Sequence, residues 1–127
     1  MALSNIVLGD GQATPINRTF EVFTPQVGNS PALLNQKSSG VTKQFERLSC
    51  LLRRAEGSSS YREVITLKVP RVTDAILGTV ETAHIDITVV IPDGFSTAMR
   101  SDVAAYLKNL AAAPVVQASI KDVVSYA

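Results

Sequence analysis

Tyr61-Arg-Glu-Val-Ile-Thr-Leu-Lys-Val-Pro70 decides the fold class, because its side chains sort by parity. Arg62, Val64, Thr66 and Lys68 hold the even positions, while Tyr61, Glu63, Ile65, Leu67 and Val69 hold the odd ones. Successive strand residues point to opposite faces, so this segment has one mostly apolar side and one cationic side. The split recurs on both flanks. Upstream, Leu48, Cys50 and Leu52 alternate with Arg47, Ser49, Leu51 and Arg53. Downstream, Ala83, Ile85, Ile87, Val89 and Ile91 alternate with His84, Asp86, Thr88 and Val90. Pairing the three strands with their apolar sides together collects Arg47, Arg53, Arg62 and Lys68 on the other face, against one acid, Asp86. That is a sheet with a basic, non-catalytic surface.

Working outward, strands at about 45–55 and 61–70 are joined by a loop, Glu56-Gly-Ser-Ser-Ser60. Asn5-Ile-Val-Leu8 followed by Gly9-Asp10-Gly11 reads as the start of a hairpin, and Thr19-Phe-Glu-Val-Phe23 as the next strand. Residues 24–44 are interrupted by proline, glycine and serine, leaving one short strand expected around Ala32-Leu33-Leu34. Arg71 to Glu81 reads as a connection with Gly78 near its tip, and the last strand stops at the turn Pro92-Asp93-Gly94.

Helical spacing then takes over. Ser96 is a candidate N-cap, and Met99, Val103, Tyr106 and Leu110 step by four, three and four along one helix face. Pro114 can open a second helix, with Val116, Ile120 and Val123 on its stripe. The expected architecture is α+β: several strands, then two helices at about 96–127. Two helices of about 13 residues, each roughly 20 Å long, must cover the apolar side of five or six strands. They can cover their own sheet, or reach across to a second copy's sheet. The spacing does not choose between these.

With 127 residues the chain is expected to form one domain. Its net charge of +1 excludes a polyelectrolyte of the histone type, so the cations are arranged rather than abundant. Cys50 is the one cysteine; it falls on the apolar side of its strand and reads as a buried structural thiol. No apolar run reaches the roughly 20 residues of a membrane span. The first residues lack the basic-then-apolar pattern of an export signal, so a cytoplasmic origin is expected.

Catalytic constellations are thin. His84, the one histidine, shares a strand face with Asp86, but no G-x-S-x-G nucleophile turn accompanies them. One histidine and one cysteine do not make a zinc site of the usual kind. Neither a phosphate-binding glycine loop nor a dinucleotide fingerprint is present. The expectation is a non-enzyme without metal or cofactor. Arg53 and Arg54 are adjacent and so point opposite ways; only Arg53 joins the basic face. A merely solvated sheet face usually mixes its charge signs, whereas this one is biased. Phosphate binding accounts for that bias, since Lys and Arg on phosphates supply most sequence-independent nucleic-acid affinity.

Over essentially its whole length the chain resembles the coat proteins of single-stranded RNA bacteriophages, the levivirus family. The resemblance lies in Asn5-Ile-Val-Leu-Gly-Asp-Gly-Gln-Ala-Thr-Pro15, in Leu48-Ser-Cys-Leu-Leu-Arg53, in the Leu67-Lys-Val-Pro70 ending, and in Thr88-Val-Val-Ile-Pro92 leading into helices. No one motif is diagnostic; their order, spacing and total length carry the likeness together. It implies an N-terminal hairpin (about 4–18), a five-stranded antiparallel sheet (about 19–92) and two helices interlocked with those of a second subunit. It also implies an obligate homodimer that builds a T=3 icosahedral shell and binds genomic RNA on its inward face. Virion localisation, assembly in the bacterial cytoplasm, a maturation protein as partner and repression of translation through an RNA hairpin follow from the same resemblance.

Carried over by position, the implied RNA face comprises Arg47, Ser49, Leu51, Arg53, Arg62, Val64, Thr66, Lys68, His84 and Asp86. His84 stands where the family usually has a stacking tyrosine. Leu51 and Val64 replace hydroxyls, and Asp86 adds a negative charge. These departures favour general packaging over a familiar operator hairpin. The implied dimer contacts are Met99, Val103, Tyr106, Leu110, Val116 and Ile120, and the implied inter-dimer loop includes Thr73, Gly78 and Thr79. The alternative is a non-viral dimeric RNA-binding sheet without a shell. The scarcity of exposed aromatics on the basic face weighs against it.

Overall fold

The computed structural model describes residues 1–54 and 57–126, and the chain divides into two compact units, residues 1–90 and 91–127. Six strands follow one another in meander order: β1 (Ile6–Gly9), β2 (Asn17–Thr24), β3 (Ala32–Gln36), β4 (Glu46–Arg53), β5 (Ser60–Asp74) and β6 (Thr79–Pro92). The expected hairpin is β1–β2, and β2 also opens the expected five-stranded sheet, so β1 is a sixth strand on its edge. Residues 55 and 56, at the strand end and loop expected before β5, and residue 127, at the expected helix terminus, lie outside the described residues.

Asp10 organises the first hairpin. Its Oδ1 accepts the backbone N–H of Gln12 at 3.2 Å and of Ile16 at 3.0 Å, and its Oδ2 meets Arg18 at 3.3 Å. One short acid thereby holds both ends of a loop that lacks strand pairing of its own. The β2–β3 ladder shifts register, because Val22 pairs with Leu34 while Thr24 pairs with Leu33. Phe23 is the extra residue, a β-bulge.

Alternation in β3 buries Ala32, Leu34 and Gln36. The Gln36 amide is satisfied by Ser38, whose Oγ accepts from Nε2 and whose backbone N–H donates to Oε1. Phe20, Leu34 and Leu48 form the core, with Leu3, Ile6, Val22, Cys50, Ile65 and Leu67 packed around it. Each fully buried Leu or Phe contributes roughly 1.5–3 kcal/mol. Cys50 is half-buried within the single chain rather than buried as expected.

The β5–β6 hairpin is longer than the sequence suggests. Pro70 does not end β5, and the connection expected at Arg71 to Glu81 shrinks to a four-residue turn at 75–78. The ladder to β4 stops at Lys68, so a residue lacking an N–H at position 70 breaks none of its paired positions. Asp74 Oδ1 closes the turn by accepting the N–H groups of Ile76 (3.0 Å) and Leu77 (3.1 Å). Gly78 completes it at φ +68°, a conformation costly for a side chain.

In the second unit, α1 (Thr97–Ala112) and α2 (Pro114–Asp122) are separated by Ala113 alone. Ser96 caps α1 by accepting the Met99 N–H at 3.3 Å, as its position predicts. Pro114 opens α2, where its missing N–H costs nothing. Val123 does not continue the α2 stripe; it ends the helix in the left-handed region at φ 54°. No residue of either helix is buried within this chain.

Candidate nucleic-acid interface

The β4–β5 register arranges the expected face as four rungs. Arg47 lies opposite Lys68, Ser49 opposite Thr66, Leu51 opposite Val64, and Arg53 opposite Arg62. Two charged rungs thus bracket a hydroxyl rung and an aliphatic rung, with the outer pair roughly 20 Å apart along the strands. The intervening pairs, Leu48 with Leu67, Cys50 with Ile65 and Leu52 with Glu63, occupy the other face. Parity alone predicts this separation; the exact rungs need the register.

The face extends beyond the expected strands. Asn35 pairs with Arg47 and Leu33 with Ser49, while Glu21 pairs with Asn35. A shallow hollow of about 410 Å³ opens there, lined by Phe23, Leu33 and Asn35 together with Arg47, Ser49, Thr66 and Lys68. Phe23, Leu33 and Asn35 are functional candidates that the sequence reading missed. The polar Asn35 following the apolar Ala32–Leu34 run was one available signal; the other was the parity of Phe23, which alternation places with Glu21 and away from Phe20 and Val22.

Ion pairs join Arg18 to Asp10 at 3.3 Å, Lys37 to Glu21 at 3.8 Å and Arg71 to Glu46 at 3.2 Å. None engages Arg47, Arg53, Arg62 or Lys68, all exposed. Arg54 points elsewhere, lying 5.5 Å from the centre of the Tyr61 ring. On β6, His84 and Asp86 are both exposed and two residues apart, so they share a strand face. Ile87, Val89 and Ile91 are half-buried between exposed Thr88 and Val90, in the expected alternation, whereas Ala83 and Ile85, expected on the same apolar side, are exposed.

Glu63 departs from the apolar character of its face. It sits half-buried opposite Leu52, and burial raises its carboxyl above the ordinary value. Burial, and then the Glu63 charge, raise the Cys50 thiol. On the turn side, Gly78 is in the connection as expected, but Thr73 and Thr79 lie in β5 and β6. The turn instead presents Ile76 and Leu77, 96% and 78% exposed. Along the helices, Met99, Tyr106, Leu110 and Ile120 are exposed, while Val103 and Val116 are half-buried.

Among the described residues no group of His, Cys, Asp or Glu could hold a metal ion, and no helix is long and apolar enough to cross a membrane. The family model described as Levivirus coat protein matches residues 1–126. Among solved structures, the chain is similar to the virus-like particle of bacteriophage NT-214, at 23% identity and a TM-score of 0.87 over 100% of both chains. It is similar to the capsid protein of bacteriophage GA at 23% identity and a TM-score of 0.75, covering 98% of this chain and 97% of that one. A third structure, an unassembled bacteriophage coat protein described as an RNA-binding dimer, is 20% identical with a TM-score of 0.73 over 98% of each chain. No curated protein sequence matches. Identities this low speak to the fold.

Proposed function

The chain belongs to the levivirus coat protein family, and from that premise we propose that it pairs with a second copy, builds a virus shell and binds single-stranded RNA on its basic sheet face. The family is one of structural capsid proteins rather than enzymes. One observation carries the RNA reading: Arg47, Arg53, Arg62 and Lys68 share a face and have no ion-pair partner among the described residues. Cations held apart from acids are available to phosphates, whose neutralisation dominates nucleic-acid affinity. Leu51 and Val64 supply no hydrogen bonds between them, so this rung favours packaging over hydroxyl-mediated base recognition. His84 adds a ring able to stack on an unpaired base; Asp86 opposes nearby phosphates.

A second copy accounts for the helices. Met99, Tyr106, Leu110 and Ile120 are large apolar side chains left in water by a single chain, the mark of an interaction surface. With Val103 and Val116 they form the dimer contact, interlocked over the partner's sheet. The β5–β6 turn, with Gly78 flanked by Thr73 and Thr79, joins dimers to one another. The whole chain acts as one coat-protein unit in the virion, assembled in the bacterial cytoplasm around its RNA with a maturation protein. Repression of translation through an RNA hairpin is a further role of the same face.

Expression of the chain alone in bacteria tests this reading, with electron microscopy and absorbance at 260 and 280 nm on the purified product. Uniform shells rich in nucleic acid are expected. A small species free of RNA contradicts the shell, and unchanged RNA content after replacing both Arg53 and Arg62 with Ala contradicts the face.

A further inference from the structure

β3 leaves β4 before β4 is finished. Their last paired rung sets Ala32 opposite Cys50, yet β4 runs on through Leu52 to Arg53. Continuing that register would bring Ser30 against Leu52, and alternate rungs of an antiparallel ladder exchange both backbone hydrogen bonds. Ser30 has none to give. Its N–H donates to the Val27 carbonyl at 2.9 Å, and its carbonyl accepts the Val27 N–H at 3.2 Å. Gly28 lets this tight turn close, at φ +56°. The Gln26 side chain takes the place of Ser30. Its Oε1 accepts the Leu52 N–H at 3.1 Å, while its Nε2 donates to the Leu52 carbonyl at 2.7 Å and to the Gly28 carbonyl at 3.0 Å. A primary amide offers a donor and an acceptor side by side. An exposed side chain thus completes β4 where the β3 backbone has turned away.

Arg53 follows Leu52 and is the last residue of β4. It stands opposite Arg62, and like charges so placed work against the pairing. Strand ends open first, so a repulsive final rung needs an anchor beside it. We propose that Gln26 is a positioning residue for RNA binding, holding the end of β4 in its ladder so that Arg53 and Arg62 act as one phosphate-binding rung. The proposal rests on the RNA-binding reading of the basic face and adds to it a residue that acts through Arg53. Without the two bonds to Leu52, Arg53 samples more positions, and RNA must order it on binding.

Amide exchange and RNA binding, measured on the full chain freed of RNA, test this together. The binding probe is a short mixed-sequence single-stranded RNA, titrated over a range of salt concentrations. Gln26→Leu should speed exchange at the Leu52 amide by roughly tenfold, the scale of lost backbone hydrogen bonds, while Leu34 and Leu48 in the core keep their protection. Arg53→Ala should lower the salt slope of binding by about one, as loss of one phosphate contact does. Gln26→Leu should lower it by part of that amount, and in the Arg53→Ala background it should change nothing more. Unchanged exchange at Leu52 overturns the anchor. Faster exchange with unaltered RNA binding overturns the positioning role and leaves the RNA face standing. A further loss of binding in the Arg53→Ala background overturns the route through Arg53. Faster exchange in the core as well as at Leu52 makes the effect one on the whole fold and overturns the proposal. A salt slope that Arg53→Ala leaves unchanged overturns Arg53 as an RNA contact, and with it the role of Gln26.

Discussion

Arg53 and Arg62 stand directly opposite each other across the β4–β5 ladder. Like charges in that relation destabilise a sheet, on the scale of a few tenths to about 1 kcal/mol, and no acid among the described residues forms an ion pair with either. Arg62→Gln should therefore raise the melting temperature of the RNA-free protein at low salt, with the gain shrinking toward 1 M salt as screening sets in. The same variant should package less RNA. A lower melting temperature at low salt would show that the pair is not repulsive in place.

Glu63 should make stability depend on pH. Burial holds its carboxyl above the ordinary value of 4.5, so the folded chain keeps this proton more tightly than the unfolded chain does. Below the unfolded value both states are protonated and the group is neutral to stability; as pH rises through the raised folded value, stability is lost. Denaturant titrations over that window should show a decline that Glu63→Gln flattens. Because the Glu63 charge also raises the Cys50 thiol, after burial, the variant should alkylate faster at Cys50 at a given pH.

Asp10 carries the opposite dependence. The Ile16 N–H, more than any other partner, favours its charged form and lowers its carboxyl below 3.8, against an opposing effect of burial. Its support is present above the unfolded value and lost as pH falls through the lowered folded value. Amide exchange at Gln12 and Ile16 should accelerate on acidification relative to core strands after correction for intrinsic rates. In Asp10→Ala it should be fast throughout.

Ile76 and Leu77, nearly bare at the β5–β6 turn, should matter to contacts between dimers rather than to the fold. Replacing both with Ser should leave the melting temperature of dimers within about 0.5 kcal/mol equivalent, as exposed substitutions do, while the yield of closed shells falls severalfold by sedimentation. Undiminished shell yield would remove the turn from the assembly contacts.

The parts of this molecule legible from residue order are those governed by local period. Arg47 through Arg53 and Arg62 through Lys68 separate by parity, which any strand pairing with a common apolar face preserves. Ser96 and Pro114 announce helix starts because their chemistry acts within one turn. Parity within β2 already places Phe23 with Glu21, away from Phe20 and Val22; what was not legible is the register shift after Val22, since a bulge depends on how β2 meets β3 rather than on either strand alone. Pro70 misled because a proline ends a strand only where a ladder needs its N–H, and here the β4 ladder has already stopped. Ile76 and Leu77 were overlooked because apolarity does not say whether a turn lifts a residue out of the core.

The small buried core has a consequence for the life of the protein. Among the described residues the buried hydrophobic core comprises Phe20, Ala32, Leu34 and Leu48, a modest reserve for 127 residues. If burial is completed by a second copy, folding becomes a second-order event and its equilibrium obeys mass action. Dilute chains then remain vulnerable to proteases while concentrated chains protect one another. Survival would thus set a threshold, committing the protein to its pairing only once enough copies have been made to use it.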